Sequence, residues 1–195
     1  MQVALLHATP LANTDRAIGK CWDKQKEEVD YERIERVGNK NKHSSTLEHV
    51  VYTFDIDGVS RALLQELARH RMASLSVKST RYTLKELKDA PNSSLKDFIV
   101  QVNAEVDAGV ISSLRYLKMI LMQGMSNDKA KYLLPEAFKT SLVWTINLRS
   151  LQNFLSLRTN PAALWEIRKL AYEVYSKVPD EHKYLLEESL YSGKK

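Results

Sequence analysis

A chain of 195 residues has room for one large domain or two small ones and can bury a core without disulfides or metals. Its 44% hydrophobic and 27% charged residues are those of a globular protein, and 6 Gly with 5 Pro exclude a linker-rich or disordered chain. The net charge is +5, and a single cysteine, Cys21, excludes an intrachain disulfide and a Cys-rich zinc site.

In chain order, Gln2 to Thr9 reads as a short apolar strand that Pro10 stops. Asn13 or Thr14 can cap a helix reaching about Gln25. Glu27 to Lys42 is dense in both charges and ends in the turn signal Gly38-Asn39. From Thr46 to Ile56 the pattern alternates, with Val50, Tyr52, Phe54 and Ile56 on one face. This predicts a half-buried strand, broken by Asp57-Gly58. Ser60 is placed to cap the next helix, which carries Leu63, Leu64 and Leu67 and runs to about Arg71. Leu75 to Tyr82 alternates again, more weakly, and Ala90 to Ser93 reads as a loop. Ser94 to Gln123 is the longest helical pattern and ends at Gly124. Such a helix would span about 45 Å, a length that suggests packing against another subunit. Asn127 to Leu134 reads as a short helix stopped by Pro135, and Ser141 to Asn147 as a buried strand. Ser150 to Leu157, Pro161 to Lys177 and Asp180 to Leu190 read as helices.

The expected class is α+β: a single domain over residues 1–195, with a central, mostly antiparallel sheet flanked by helices, one of them long. No apolar run exceeds four residues, where a membrane-spanning helix needs about 20. The N-terminal MQVALLHATPL has neither a basic leader nor a long apolar core. The expectation is a soluble, cytoplasmic protein.

The charge is unevenly spread. Arg61 to Lys88 holds seven basic residues against two acidic ones and so carries the whole net excess. Ala137 to Trp165 has Lys139, Arg149 and Arg158 and no acid. A localised basic excess points to an anionic partner, either nucleic acid or a small phosphate, although a solvated basic face has the same composition.

The densest chemistry is Arg69-His70-Arg71, followed by Ser74, Ser76, Lys78, Ser79, Thr80, Arg81 and Tyr82. It begins at a helix C-terminus, where the dipole favours cations, so helix stabilisation is the plain alternative for the arginines. Successive helical residues lie about 100° apart, so Arg69 and Arg71 converge only if the chain leaves the helix there. Fixed positive charge beside many hydroxyls suits phosphate and pyrimidine carbonyls. His70 follows Leu67 by three residues, an inward position where an imidazole flanked by two arginines stays neutral. Further on, Arg149 and Asn153 stand i, i+4 and share a helix face. Arg158 lies half a turn round, where Thr159-Asn160-Pro161 ends the helix. One face can hold a cofactor while the terminal arginine reaches a second ligand. No acid nearby in sequence neutralises these arginines, which favours an anionic ligand.

Arg69-His70-Arg71, seven residues, Ser79 and then Arg81-Tyr82 resembles the signature of the flavin-dependent thymidylate synthases. His43-Ser-Ser45-Thr-Leu-Glu48-His49, ahead of the VVYTF strand, is similar to a second segment of that family. Asn147-Leu-Arg149-Ser-Leu-Gln-Asn153, with Arg158 beyond it and Trp144-Thr145 before it, is similar to a third. The resemblance covers about His43 to Ile167 closely.

This resemblance implies methylation of dUMP to dTMP, with methylenetetrahydrofolate as carbon donor, FAD as hydride carrier and NADPH as reductant. Tetrahydrofolate leaves, and no enzyme cysteine attacks the pyrimidine. It implies flavin contacts from Arg69, His70 and Arg71, with Arg69 also at the nucleotide, and FAD contacts from Ser45, Asn147, Arg149 and Asn153. Ser79, Thr80 and Arg81 would hold the dUMP phosphate and ribose. Arg158 would be the catalytic residue, favouring the ionised uracil imide. His43 and Tyr82 would lie near the flavin or folate. The resemblance also implies a homotetramer with sites shared between subunits.

The chain departs from the usual pattern at four positions: Glu66 stands for Gln, Val77 for Glu, Thr80 for Gly and Lys131 for Arg. Glu66 and Lys131 still count among the nucleotide-binding positions, Glu66 taking over part of the Gln role. Glu66 is also i, i+3 from Arg69, the spacing of an ion pair. Three competing readings exist. One is a nucleic-acid-binding protein using Arg61 to Lys88, without any recognition motif. The second is a flavoprotein oxidase or reductase without methyl transfer, suggested by Val77. The third is a metal hydrolase using His43, His49 and His70, whose spacing matches no common ligand pattern. No metal, nucleic acid or membrane partner is expected.

Overall fold

Strands β1 (Gln2–Ala8), β2 (Val51–Ser60), β3 (Ala73–Val77) and β4 (Lys139–Asn147) form one sheet in the order β1-β2-β4-β3. The computed structural model describes residues 1–193, and every pairing in this sheet is antiparallel. Nine α-helices are described: α1 (Ala12–Cys21), α2 (Tyr31–Ile34), α3 (Arg61–Leu67), α4 (Thr80–Asp89), α5 (Ala104–Met122), α6 (Asn127–Ala130), α7 (Leu148–Arg158), α8 (Trp165–Lys177) and α9 (Asp180–Lys183).

The alternation along β2 buries Tyr52, Phe54 and Ile56 as the sequence predicts, and β4 sets Leu142, Trp144 and Ile146 on the same side. Phe54 pairs with Trp144 in register. α7 and α8 complete this core with Leu151, Phe154, Leu155, Ile167, Leu170 and Val174. Trp144 Nε1 has no hydrogen-bond partner among the described residues. Burying about 200 Å² of indole contributes roughly 5 kcal/mol, more than the ~1–3 kcal/mol cost of one unmet donor. The chain between β3 and β4 builds a second apolar cluster, with Leu84 and Leu87 of α4 against Leu114, Leu117 and Leu121 of α5.

Several elements differ from the sequence expectation. The strand expected from Thr46 begins at Val51, because Ser44–His49 is a 3₁₀ turn in which Thr46 Oγ1 donates to the His43 carbonyl at 2.8 Å. Asp57-Gly58 does not break the strand. Gly58 takes φ +69° and the pairing with β4 slips by one residue there, a bulge that lets β2 run on to Ser60. The alternation expected from Leu75 to Tyr82 stops at Val77, and α4 starts at Thr80 because Leu84 and Leu87 must share one helix face. The long helix is shorter than expected. Asn92–Phe98 is a 3₁₀ segment, Ile99 bridges to Phe138, and Asn103 Oδ1 caps α5 by accepting from Val106 N at 2.8 Å. α5 therefore has 19 residues and is about 28 Å long. The charged stretch before Gly38 is helical, α2 passing into a π-helix over Glu35–Lys40. α1 ends at Cys21, α8 starts at Trp165, and the last helix divides into α9 and a 3₁₀ turn over Glu187–Ser189.

Candidate active site

Two strand ends deliver the site. At the end of β2, Ser60 Oγ accepts from Leu63 N at 3.0 Å and caps α3, as the sequence suggests. The Ser60 amide also donates to Glu166 Oε1 at 2.9 Å, and its hydroxyl bonds Glu166 Oε2, tying α3 to the first turn of α8. α3 closes at Leu67, so Arg69, His70 and Arg71 leave the helix and all three line one cavity. At the end of β4, Asn147 Oδ1 accepts from Ser150 N at 2.8 Å and starts α7. α7 supplies Arg149, Asn153 and Arg158 to the same cavity. Its volume is about 950 Å³, at the upper end of the range for small-molecule sites.

Arg158 is the best-held group in the wall. Its Nε donates to His70 Nε2 at 2.9 Å, its Nη1 to Glu66 Oε2 at 2.7 Å and its Nη2 to the Glu66 carbonyl at 3.3 Å. His70 is buried, its ring edge-on to Phe154 at 5.0 Å. Burial, and then the Arg158 charge, push its pKa down to about 4, against an opposing pull from Glu66. His70 is therefore neutral at pH 7. A guanidinium nitrogen only donates, so His70 Nε2 accepts and the ring proton sits on Nδ1. Elsewhere on the wall Arg149 Nη1 meets Glu48 Oε1 at 2.6 Å. Both side chains are about half exposed, and such pairs contribute ~0–1 kcal/mol, so an anionic ligand group can displace Glu48.

These pairings correct two expectations. Arg149 and Arg158 do have acidic partners, Glu48 and Glu66, which lie 101 and 92 residues away and so escape a local reading. Glu66 turns its carboxylate to Arg158 rather than to Arg69. Arg149 and Arg158, half a turn apart on α7, nonetheless share one cavity, because it wraps over the helix end to Asn160 and Ala162.

The cavity unites Glu66, Arg69, His70, Arg71, Asn147, Arg149, Asn153 and Arg158 of the predicted residues. Ser45 is exposed on the 3₁₀ turn and lies outside the walls, although Glu48 of the same turn is part of them. Ser79, Thr80, Arg81 and Lys131 are also outside the walls, at the start of α4 and just after α6. Sequence reasoning assigned no role to Glu48, Ser150, Ser156 or Asn160, which line the cavity. Glu48 and Ser150 carried a signal, their places in the His43–His49 and Asn147–Asn153 segments. The nucleic-acid reading loses its basis. Lys78 pairs with Glu86 at 2.7 Å and Arg81 with Asp128 at 3.5 Å, while Arg69 and Arg71 line the cavity, so four of the seven cations of the stretch have other engagements. Among the described residues no group of three or more His, Cys, Asp or Glu could hold a metal ion, and no helix is long and apolar enough to cross a membrane. Four arginines against two carboxylates, amide groups on Asn147 and Asn153, and apolar Met72, Leu157 and Ala163 suit a large ligand with anionic and flat aromatic parts.

A family model described as thymidylate synthase complementing protein matches residues 4–182. The flavin-dependent thymidylate synthase of Wolinella succinogenes is 53% identical over 197 residues, covering 95% of this chain and 97% of that protein. The chain belongs to the flavin-dependent thymidylate synthases. As a member of that family it is a methyl-transferring enzyme. The flavin-dependent thymidylate synthase of Helicobacter pylori strain 26695 is 46% identical over 206 residues, covering 97% and 99% of the two chains. A crystal structure of Helicobacter pylori thymidylate synthase X with FAD and dUMP superposes with a TM-score of 0.92 at 45% identity, covering 97% of this chain and 99% of that one.

Proposed function

We propose that this chain methylates dUMP to dTMP, with methylenetetrahydrofolate as carbon donor, FAD as hydride carrier and NADPH as reductant, releasing tetrahydrofolate. The observation that carries this reading is the convergence of Arg69, His70, Arg71 and Arg158 on one cavity. The Helicobacter relative, which holds FAD and dUMP, supports it. The donor set fits FAD: Arg69, Arg71 and Arg149 would hold its anionic parts, and His70, Asn147 and Asn153 would hydrogen-bond to it, with Ser45, outside the walls, a further contact implied by the resemblance. When bound, FAD supplies the hydride that completes the methyl group. Arg158 is the catalytic residue. A guanidinium fixed before substrate arrives stabilises negative charge on the uracil imide without reorganising.

Ser79, Thr80, Arg81 and Lys131 hold the dUMP phosphate and ribose in this reading. They lie outside the cavity of their own chain, so they complete the site of a neighbouring subunit in a homotetramer. The exposed apolar side chains Val106, Tyr116, Met119 and Met122 on α5 supply a surface for that assembly. The reading places the protein in the cytoplasm.

The test is the visible absorption spectrum of the purified protein, then NADPH oxidation with and without dUMP. A yellow protein whose NADPH oxidation is stimulated by dUMP, and which makes dTMP when folate is added, meets the proposal. A colourless protein unable to take up added FAD rejects it. NADPH oxidation indifferent to dUMP would favour a flavoprotein reductase instead.

A further inference from the structure

A guanidinium has five N–H donors, and the fold commits three of those on Arg158. One goes to His70 Nε2 and two to Glu66, at its carboxylate and its carbonyl. Two N–H groups are left, one on each Nη, and these are what a ligand meets. The Arg158 side chain is 16% exposed and that of Glu66 35%, so the carboxylate sits against a largely buried guanidinium, where their attraction is stronger than between two fully exposed groups. Glu48 is taken by Arg149, and Arg69 and Arg71, though cations in the same wall, form no ion pair with Glu66 among the described residues. The adjacent His70 is uncharged at neutral pH.

We propose that Glu66 is the counter-ion of Arg158: it positions the guanidinium and limits how far that guanidinium acidifies the imide of the bound pyrimidine. The second half rests on the proposed function, which puts a pyrimidine at Arg158. An arginine without a counter-ion presents a full positive charge to the ring. Paired with Glu66 it presents the same two donors with much of the charge cancelled. Glu66 thus leaves directional hydrogen bonds for recognition and holds back ionisation of the imide.

Two substitutions separate geometry from charge. Glu66→Gln keeps an acceptor for Arg158 Nη1 and removes the charge, whereas Glu66→Ala removes both. In the ligand-free full-length protein, imidazole ¹⁵N shifts read the His70 proton. It is expected on Nδ1 in the parent and in Glu66→Gln, with Nε2 accepting, and the Nε2 hydrogen-bond shift is expected to weaken in Glu66→Ala. A parent His70 protonated on Nε2, or a Glu66→Ala spectrum identical to the parent, overturns the positioning. With FAD present and folate absent, the ¹⁹F resonance of bound 5-fluoro-dUMP reports ionisation of its imide. The ionisation is expected about one pH unit lower in Glu66→Gln than in the parent, in line with the loss of one nearby opposing charge. Superposed titrations, or a move to higher pH, overturn the charge effect. A parent protein that leaves 5-fluoro-dUMP at its free shift rejects the proposed function and the imide half with it, while the ¹⁵N result still decides the positioning.

Discussion

Arg158 enters the cavity from the last residue of α7, and nothing in its own neighbourhood of sequence fixes where its guanidinium points. The fold does that through residues 88 and 92 positions away, His70 and Glu66. Replacing Arg158 with Ala should abolish methyl transfer, by at least the roughly 10²–10³-fold that loss of a single charge-stabilising donor costs in other enzymes. FAD should stay bound, since the cofactor contacts proposed here come from other side chains. Product assay together with the visible spectrum checks this, and loss of FAD alongside activity would put Arg158 in the cofactor site. At this scale spacing put Arg149 and Asn153 on one helix face, and only the family resemblance brought that segment to Arg69-His70-Arg71; Ser45, Ser79, Thr80, Arg81 and Lys131, expected from the same resemblance, lie outside the cavity. The sequence did not reveal the partners. Glu48 and Glu66 are paired by the sheet and its helices, and no periodicity in the chain records a contact made across 90 or 100 residues.

Ser60 joins three elements: it is the last residue of β2, the cap of α3 and the anchor of α8 through Glu166. The capping role was legible from Ser60 preceding an apolar helical pattern. The Glu166 contact, 106 residues on, was not. Ser60→Ala removes the cap and one partner of a buried carboxylate, and should cost about 1–3 kcal/mol. In a chain of this size each kcal/mol is worth roughly 2–4 °C, so thermal unfolding should begin several degrees lower. Ser60→Thr keeps the hydroxyl and should recover most of the loss. An unchanged melting temperature in Ser60→Ala would show that the anchor contributes nothing. Elements bounded by their own side chains were read well, as with the buried faces of β2 and β4. Those bounded by a bulge or a distant bridge were not. Gly58 lets a strand pass through a turn signal, and Ile99 pairing with Phe138 interrupts what the helical periodicity alone would continue.

Across the whole molecule, two buried histidines make stability depend on pH. His70 and His182 both have folded pKa values lowered, chiefly by burial, from the ordinary 6.5. The unfolded chain therefore binds more protons below about 6.5, so their contribution is complete above that value and is lost as pH falls. For His70 the loss runs down to about 4 and amounts to roughly 3 kcal/mol. The lowered carboxylates Asp30 and Asp180 titrate only below their ordinary 3.8, outside this window. Urea midpoints should fall between pH 7 and 5 at fixed protein concentration. His182→Gln, which keeps a hydrogen-bonding partner for the Tyr52 hydroxyl, should flatten that fall, and an equal slope in both proteins would exclude His182 as a source. The second prediction at this scale concerns assembly. In the proposed reading, the residues at the start of α4, which lie outside the cavity walled by α3 and α7, complete the site of a second copy of the chain. Tyr116 and Met119 on α5 are 54% and 44% exposed, large apolar groups with no other evident use. Replacing both with Glu buries charge at any interface they form, which should reduce a tetramer to smaller species by light scattering and abolish dUMP-stimulated NADPH oxidation with it. The α5 core residues Leu114, Leu117 and Leu121 are untouched, so the subunit should keep its fold and its circular dichroism. A variant that stays tetrameric would move the interface elsewhere, and one that dissociates yet keeps full activity would place the whole site within a single chain.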